Sequence, residues 1–187
     1  MRRIVLAASA TAIAPALLAW AVTAVDPRTV LFAFLVVWIP MVWLGTTSRY
    51  VQPRLPEPFH RLRAFERDGR VYELVGVRLV KQLLRRGPMA VFNPDLHLPA
   101  ERSPATLGHL DQRMRDAEAS HAILLVALLG VAVNAAAHGW WWAAMWTVLF
   151  DVALNGYPVM LQRYNRGLLS KRFAPATTTS RPASRSG

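Results

Sequence analysis

The sequence contains no cysteine among its 187 residues. This absence excludes disulfide bonds, zinc–thiolate sites, iron–sulfur clusters and thiol nucleophiles. Charged residues are also scarce, at 18% of the chain, whereas hydrophobic residues make up 53%. A nucleic-acid-binding protein with the same net charge of +11 would carry that charge on a polar surface. The long uncharged stretches therefore argue against nucleic acid as a partner and against a soluble domain.

Four apolar segments have the length of membrane-spanning helices. They lie at about residues 4–25, 29–46, 119–137 and 140–161. A helix rises about 1.5 Å per residue, so each segment is long enough to cross a hydrocarbon core of about 30 Å. The sequence therefore predicts an all-α membrane protein with four transmembrane helices. Two alternatives concern the start of the chain: a re-entrant hairpin of the first two segments, of which the second contains Pro40, and cleavage of the first as a secretory signal.

The basic residues are concentrated on one side of this predicted topology. Of the 22 Lys and Arg residues, 13 lie in the segment 47–118 and six follow the fourth apolar segment, whereas the first connection holds only Arg28. Loops rich in Lys and Arg tend to stay in the cytoplasm. We therefore expect a multi-pass protein of the cell membrane with both termini in the cytoplasm. It would have a single membrane domain over residues 1–173, a cytoplasmic loop at 47–118 and a disordered tail at 174–187.

The cytoplasmic loop contains an amphipathic pattern. One helical stripe carries the apolar residues Val71, Leu74, Val75, Leu79 and Leu83. Most of the charged residues of the same stretch fall on the other face. This pattern predicts a helix in the membrane interface with its cations toward lipid phosphates, ending at Gly87 and Pro88.

Polar residues at the third and fourth apolar segments are candidates for chemistry. Glu118 and His121 are three residues apart, so they are neighbours on one helix at the cytoplasmic boundary. A carboxylate beside an imidazole stabilises the imidazolium, as a general base requires, but the same pair can simply end a helix at the headgroups. No further histidine or carboxylate has the spacing of a metal site, so we expect no metal.

The fourth segment carries a polar stripe that must face the helix bundle. Its members recur at intervals of three or four residues: Asp151, Asn155, Val159, Gln162 and Arg166. Hydrogen bonding between helices and ligand binding both remain open for Asn155, whereas we expect a structural role for Asp151. Pro158 removes a backbone donor and frees a carbonyl near Leu154.

Three motifs resemble those of the glycosyl-4,4'-diaponeurosporenoate acyltransferase family, which acylates a glycosylated carotenoid. The most specific is the run Q-R-Y-N-R, formed by Gln162, Arg163, Tyr164, Asn165 and Arg166 after an N-G-Y-P run at residues 155–158. The second is A-E-x-x-H, with Glu118 and His121. The third is F-E-x-x-G-x-x-aromatic, which ends at Tyr72 and leads to Lys81. The order and rough spacing are kept over residues 60–170.

The resemblance implies that a fatty acyl group moves from an activated thioester to a sugar hydroxyl of the carotenoid glycoside. His121, oriented by Glu118, would take the hydroxyl proton. Asn155, Gln162 or Asn165 would stabilise the oxyanion, and Tyr72 and Tyr164 would belong to the substrate site. Arg163, Arg166 and Lys81 would hold the phosphates of coenzyme A or the acidic face of an acyl carrier protein. The expected partners are the acceptor, the donor and membrane lipids, with no cofactor.

Two other functions remain open at this point. The chain could be a non-catalytic membrane scaffold or lipid-binding protein, in which replacement of Glu118 or His121 affects assembly alone. It could also be an acyltransferase with a different glycolipid acceptor.

Overall fold

The computed structural model describes residues 2–47, 50, 53–86 and 103–173. Its helices are α1 (Arg2–Ala24), α2 (Val30–Thr47), α3 (Glu57–His60), α4 (Arg70–Leu74), α5 (Val77–Arg86), α6 (Pro104–Ala137), α7 (Trp141–Asp151) and α8 (Tyr157–Phe173). A 3₁₀ turn covers Ala64–Glu66, and a π-helical segment, Val152–Gly156, joins α7 to α8. No strand occurs in these described ranges. The predicted tail at 174–187 and the predicted helix end at Gly87 and Pro88 lie outside the described residues.

Four helical stretches are long and apolar enough to span a membrane, which confirms that part of the prediction. They are Ile4–Ala24, Val30–Thr47, Pro104–Ala137 and Trp141–Lys171. The third and fourth stretches are longer than the apolar segments of the sequence. Their helices continue beyond the apolar residues into polar residues, several of which pair with one another.

Helix α6 begins far before its apolar part. Pro104 occupies the first turn, and the Ser103 side chain accepts a hydrogen bond from the Thr106 N–H at 3.3 Å. Both features favour a helix start. The 34 residues of α6 span about 51 Å, roughly 20 Å more than a hydrocarbon core. The extra length is its charged N-terminal part, which contains Glu118.

The spanning helices pack through small and branched residues. Helix α2 contacts α1, α6 and α7, while α6 also packs against α7 and α8. A core cluster joins Val36 and Val37 of α2 to Leu128 of α6. At the far end of α6, Ala135 packs against Ala143 and Ala144. Small side chains let helices approach closely in lipid, where helix contacts depend on packing.

The amphipathic stripe of the loop does not form one helix. Gly76, with φ of +79°, separates α4 from α5. This left-handed conformation, which glycine adopts without a Cβ penalty, reorients the chain between the two halves of the stripe. Leu79 and Leu83 of α5 are each 70% exposed, whereas Val77 packs with Tyr72, Leu161 and Tyr164. The short helices are therefore attached to α8 through their other face.

The π-helical segment lies directly before Pro158. Within this segment the Tyr157 N–H donates to the Val152 carbonyl, five residues earlier. Proline has no N–H to continue the regular ladder, and π segments commonly form where that ladder is interrupted. The segment carries Asn155, which is fully buried between α6 and the rest of the fourth span.

Candidate functional site

Glu118 of α6 is a fully buried carboxylate at the centre of an ionic network. Its Oε1 accepts a hydrogen bond from Arg163 Nη1 at 2.5 Å, and its Oε2 accepts one from Arg166 Nη1 at 2.7 Å. His60 Nδ1 lies 3.3 Å from the same Oε2. A buried carboxylate is tolerated only where cations and donors compensate its lost hydration. The two arginines of α8 provide that compensation.

A second carboxylate, Glu66 of the 3₁₀ turn, shares Arg163 with Glu118. Arg163 donates to it in a bidentate arrangement, from Nε to Oε1 and from Nη2 to Oε2, both at 2.8 Å. The Tyr72 hydroxyl also donates to Oε1, and the Arg63 N–H donates to Oε2 at 2.7 Å. Fork-shaped arginine–carboxylate pairs fix orientation as well as charge. Arg163 thereby ties the loop segment to α6 and α8.

These contacts determine the charge states of Glu66 and Tyr72. Burial alone would raise the pKa of Glu66, but the hydrogen bonds from Arg163, Tyr72 and Arg63 outweigh it and lower the pKa to about 2. Burial, together with the bond to the carboxylate, raises the pKa of Tyr72 to about 12. Glu66 is therefore charged and Tyr72 neutral over the physiological range.

The network continues outward along α6. Arg166 Nε donates to Asp111 Oδ1 at 3.0 Å, and Arg115 Nε donates to Asp111 Oδ2 at 2.7 Å. Arg115 Nη1 also reaches the Glu57 carboxylate, at 2.6 and 2.7 Å. The hydrogen bond from Arg115 lowers the pKa of Glu57. His60 and Asp111 were not among the residues predicted from the sequence, although Asp111 and Arg115 have the four-residue spacing of a helical ion pair.

His121 belongs to a separate chain of hydrogen bonds deeper in the bundle. Its Nδ1 lies 3.0 Å from Asn155 Oδ1, and Asn155 Nδ2 donates to Asp151 Oδ1 at 2.8 Å. Asp151 and Asn155 are fully buried, while the His121 ring is half-buried. The hydrogen-bonded partner of His121 is thus Asn155. Glu118 instead contacts the arginines and His60, which differs from the expectation that it orients His121.

The other motif residues attach the loop helices to α8. Lys81 Nζ donates to Asn165 Oδ1 at 2.6 Å and lies 5.3 Å from the centre of the Tyr164 ring. The Tyr164 hydroxyl donates to Glu73 Oε1 at 2.9 Å. Gly69 makes this packing possible: its φ is +73°, and a Cβ there would lie 2.8 Å from the Tyr164 ring.

The arginines of the Q-R-Y-N-R motif point inward. Arg163 also donates to the backbone carbonyls of Phe59 and Arg61. These contacts give Arg163 and Arg166 a structural role, and their predicted contact with donor phosphates stays a prediction. The Gln162 side chain, by contrast, is half-buried and makes no hydrogen bond within the described part of the chain. Over the same residues, no group of three or more His, Asp or Glu could hold a metal ion.

Comparison with known families gives a match. A family model described as "Glycosyl-4,4'-diaponeurosporenoate acyltransferase" matches residues 56–173. The matched region begins just before α3 and ends with α8, so it contains both the ionic network and the His121 chain. No curated protein and no solved structure matches.

Proposed function

The chain belongs to the glycosyl-4,4'-diaponeurosporenoate acyltransferase family, and on that premise we propose that it moves a fatty acyl group from a thioester to a sugar hydroxyl of a glycosylated carotenoid. Both the acceptor and the acyl chain are soluble in the bilayer, whereas an acyl thioester such as acyl-CoA arrives from the cytoplasm. The site therefore belongs at the inner boundary of the membrane, with both termini of the chain in the cytoplasm.

The observation that carries this proposal is the setting of His121. Its Nδ1 is occupied by Asn155, while its Nε2 makes no hydrogen bond within the described residues. The ring is partly accessible and lies one turn from the charged network. An imidazole held at one nitrogen and open at the other is suited to general base catalysis.

The reaction needs two proton transfers, one from the sugar hydroxyl to His121 and one from His121 to the leaving sulfur. The sugar hydroxyl oxygen attacks the thioester carbonyl carbon as His121 Nε2 accepts the hydroxyl proton. The tetrahedral intermediate expels the thiolate when its C–S bond breaks, and the imidazolium returns the proton to the sulfur. We assign the stabilisation of the oxyanion to the free amide of Gln162, since the Asn155 amide already contacts both His121 and Asp151.

The relative orientation of helices α6 and α8 supports this role for Gln162. Helices α6 and α8 are antiparallel, because His121 pairs with Asn155 whereas Glu118 pairs with Arg163 and Arg166. Side chains on a helix lean toward its N-terminus. His121 therefore leans toward the N-terminal end of α6 and Gln162 toward the N-terminal end of α8, so the two side chains lean in opposite senses along the antiparallel pair, as a shared site between the helices requires.

The replacement His121→Ala tests the proposed function. Loss of the general base should lower acyl transfer about 10²- to 10⁴-fold. The assay uses membranes that contain the chain, a glycosylated carotenoid and acyl-CoA, and mass spectrometry detects a product heavier by one acyl chain. His109→Ala is the matched control, because His109 lies on the same helix and is exposed.

A folded His121→Ala protein that transfers acyl groups at the wild-type rate would overturn the base assignment. Absence of any ester with the wild-type chain, together with an assembly defect in the variant, would favour a scaffold. A product formed only with another glycolipid would change the acceptor and keep the chemistry.

A further inference from the structure

Asp151 is a buried carboxylate that the proposed reaction does not use directly. It ends α7 inside the fourth membrane-spanning stretch and has no exposed surface. Its Oδ1 accepts a hydrogen bond from Asn155, and its Oδ2 has no hydrogen-bond partner within the described residues. An acidic side chain at this depth is costly, so it usually has a functional reason.

The contacts of Asp151 fix the orientation of the Asn155 amide. Asn155 Nδ2 donates to Asp151 Oδ1, so the NH₂ group of the amide faces Asp151. The amide oxygen then faces His121 and can only accept. His121 Nδ1 must therefore carry the proton of that bond, which leaves the Nε2 lone pair free.

Resting on the proposed function, we infer that Asp151 is a positioning residue: through Asn155 it keeps the proton of His121 on Nδ1 and presents Nε2 to the sugar hydroxyl. The sequence predicted only a structural role for it. Glu118 lies one turn earlier than His121 on α6, and its charge is compensated by Arg163 and Arg166.

The replacement Asp151→Asn tests whether Asp151 orients Asn155 and His121 or only packs within the helix bundle. It keeps the size of the side chain, but an amide can donate as well as accept, so Asn155 is free to turn over. Its NH₂ group would then face His121 and favour the tautomer with the proton on Nε2. We expect kcat to fall on the order of 100-fold with little change in KM, at the low end of the effect of a general base.

The double variant D151N/N155D restores the hydrogen-bond pattern that keeps the proton on His121 Nδ1. Its carboxylate is at position 155 instead of position 151, one turn along the helix. The carboxylate introduced at position 155 would accept a hydrogen bond from His121 Nδ1 and another from the amide introduced at position 151. Most of kcat should therefore return. Because the carboxylate now contacts the imidazole directly and stabilises its protonated form, the rise of activity with pH should move to higher pH. A purely structural role for Asp151 predicts no such displacement.

A second measurement does not depend on acyl transfer. The full chain, labelled with ¹⁵N-histidine and placed in nanodiscs, reports the tautomer of each histidine by NMR, and the signal lost in His121→Gln identifies His121. Wild-type and the double variant should show Nε2 without a proton, whereas Asp151→Asn should show the other tautomer or a mixture. Asp116→Asn is the control, since the Asp116 carboxylate of α6 accepts a hydrogen bond from exposed Gln112 and takes no part in the hydrogen bonds between His121, Asn155 and Asp151.

The two measurements distinguish the possible failures. An Asp151→Asn protein with wild-type kcat and an unchanged His121 signal would overturn the inference while the proposed function stands. A wild-type chain that forms no ester would overturn the proposed function, and the NMR experiment would still decide whether Asp151 controls the tautomer of His121.

Discussion

Arg163 shows how one side chain connects three parts of the site. Its guanidinium contacts Glu66 of the 3₁₀ turn, Glu118 of α6 and the carbonyls of Phe59 and Arg61. A lysine at this position would offer one ammonium in place of a planar fork and could not make the same set of bonds. Breaking a buried pair by removing one partner typically costs about 3–5 kcal/mol. We therefore expect the Q-R-Y-N-R motif to be a condition of folding.

The lowered pKa of Glu66 predicts how the stability of this contact set depends on pH. The pKa falls from an unfolded value of 4.5 to about 2 in the folded chain. The stabilising contribution is therefore complete above about pH 4.5 and is lost as the pH falls toward 2. The thermal midpoint of the detergent-purified protein should decrease over this window.

Glu66→Gln should lower the midpoint at pH 6 and weaken its dependence on pH below 4.5. Asp68→Asn, two residues along the chain at an exposed position, is the control and should retain the wild-type curve. If the thermal midpoint fell equally steeply with decreasing pH in wild-type and Glu66→Gln, the titration of Glu66 would not be the cause of the fall.

At the scale of the elements, the fourth span is the least regular. Its π-helical segment and Pro158 place Asn155 against His121 of α6. Hydropathy and the polar stripe were sufficient to predict the span and its inward face. The hydrogen-bond partners of Glu118 and His121 could not be predicted. These two residues are neighbours on one helix, yet Glu118 contacts two arginines of α8, whereas His121 contacts Asn155 of the π segment. Spacing along one helix carries no information on which neighbour packs against it.

The replacement Pro158→Ala tests the role of this irregularity. It restores a backbone donor, so a regular α-helical ladder becomes available through residues 152–158. Asn155 would then rotate relative to His121. We expect acyl transfer to fall by about tenfold or more, while the thermal midpoint stays equal or rises, because interior proline is costly in a helix.

Pro15→Ala in α1 is the control, since that proline also lies inside a spanning helix but outside the region matched by the family model. It should leave acyl transfer unchanged. Full activity of Pro158→Ala would show that the position of Asn155 does not depend on the π segment.

At the scale of the whole molecule, the sequence predicts the number of spanning stretches well because hydrophobic length is a local property. The loop was harder to predict, since α4 and α5 are separated at Gly76 and are held by contacts to α8 that lie 84 to 91 residues away along the chain. His60 and Asp111 entered the site for the same reason. His60 contacts the distant Glu118, and Asp111 contacts the distant Arg166 as well as Arg115 on its own helix.

The inward orientation of Arg163 and Arg166 moves the expected donor contact to the surface. Exposed arginines at 67, 70 and 78 flank Glu66 and Tyr72, and phosphate groups of an acyl-CoA would be attracted to such a patch. Arg67→Glu with Arg70→Glu should raise KM for acyl-CoA by about tenfold at low salt and leave kcat nearly unchanged. The difference from wild-type should shrink as ionic strength increases, because salt screens exposed charges.

Arg28→Glu, in the first connection that we expect on the other side of the membrane, is the charge-matched control for the single reversal Arg67→Glu. It should leave KM at the wild-type value. If the two reversals had equal effects, net charge rather than a local patch would explain the result.

The ionic network also has a consequence for biosynthesis. The arginines that compensate Glu118 follow it by 45 and 48 residues, so the ribosome makes the carboxylate well before its partners. Until α8 has been synthesised and packed, Glu118 has to remain hydrated at the membrane surface. The region matched by the family model is consequently completed late in translation. A chain that stops before Arg163 would leave Glu118 without either of these two partners.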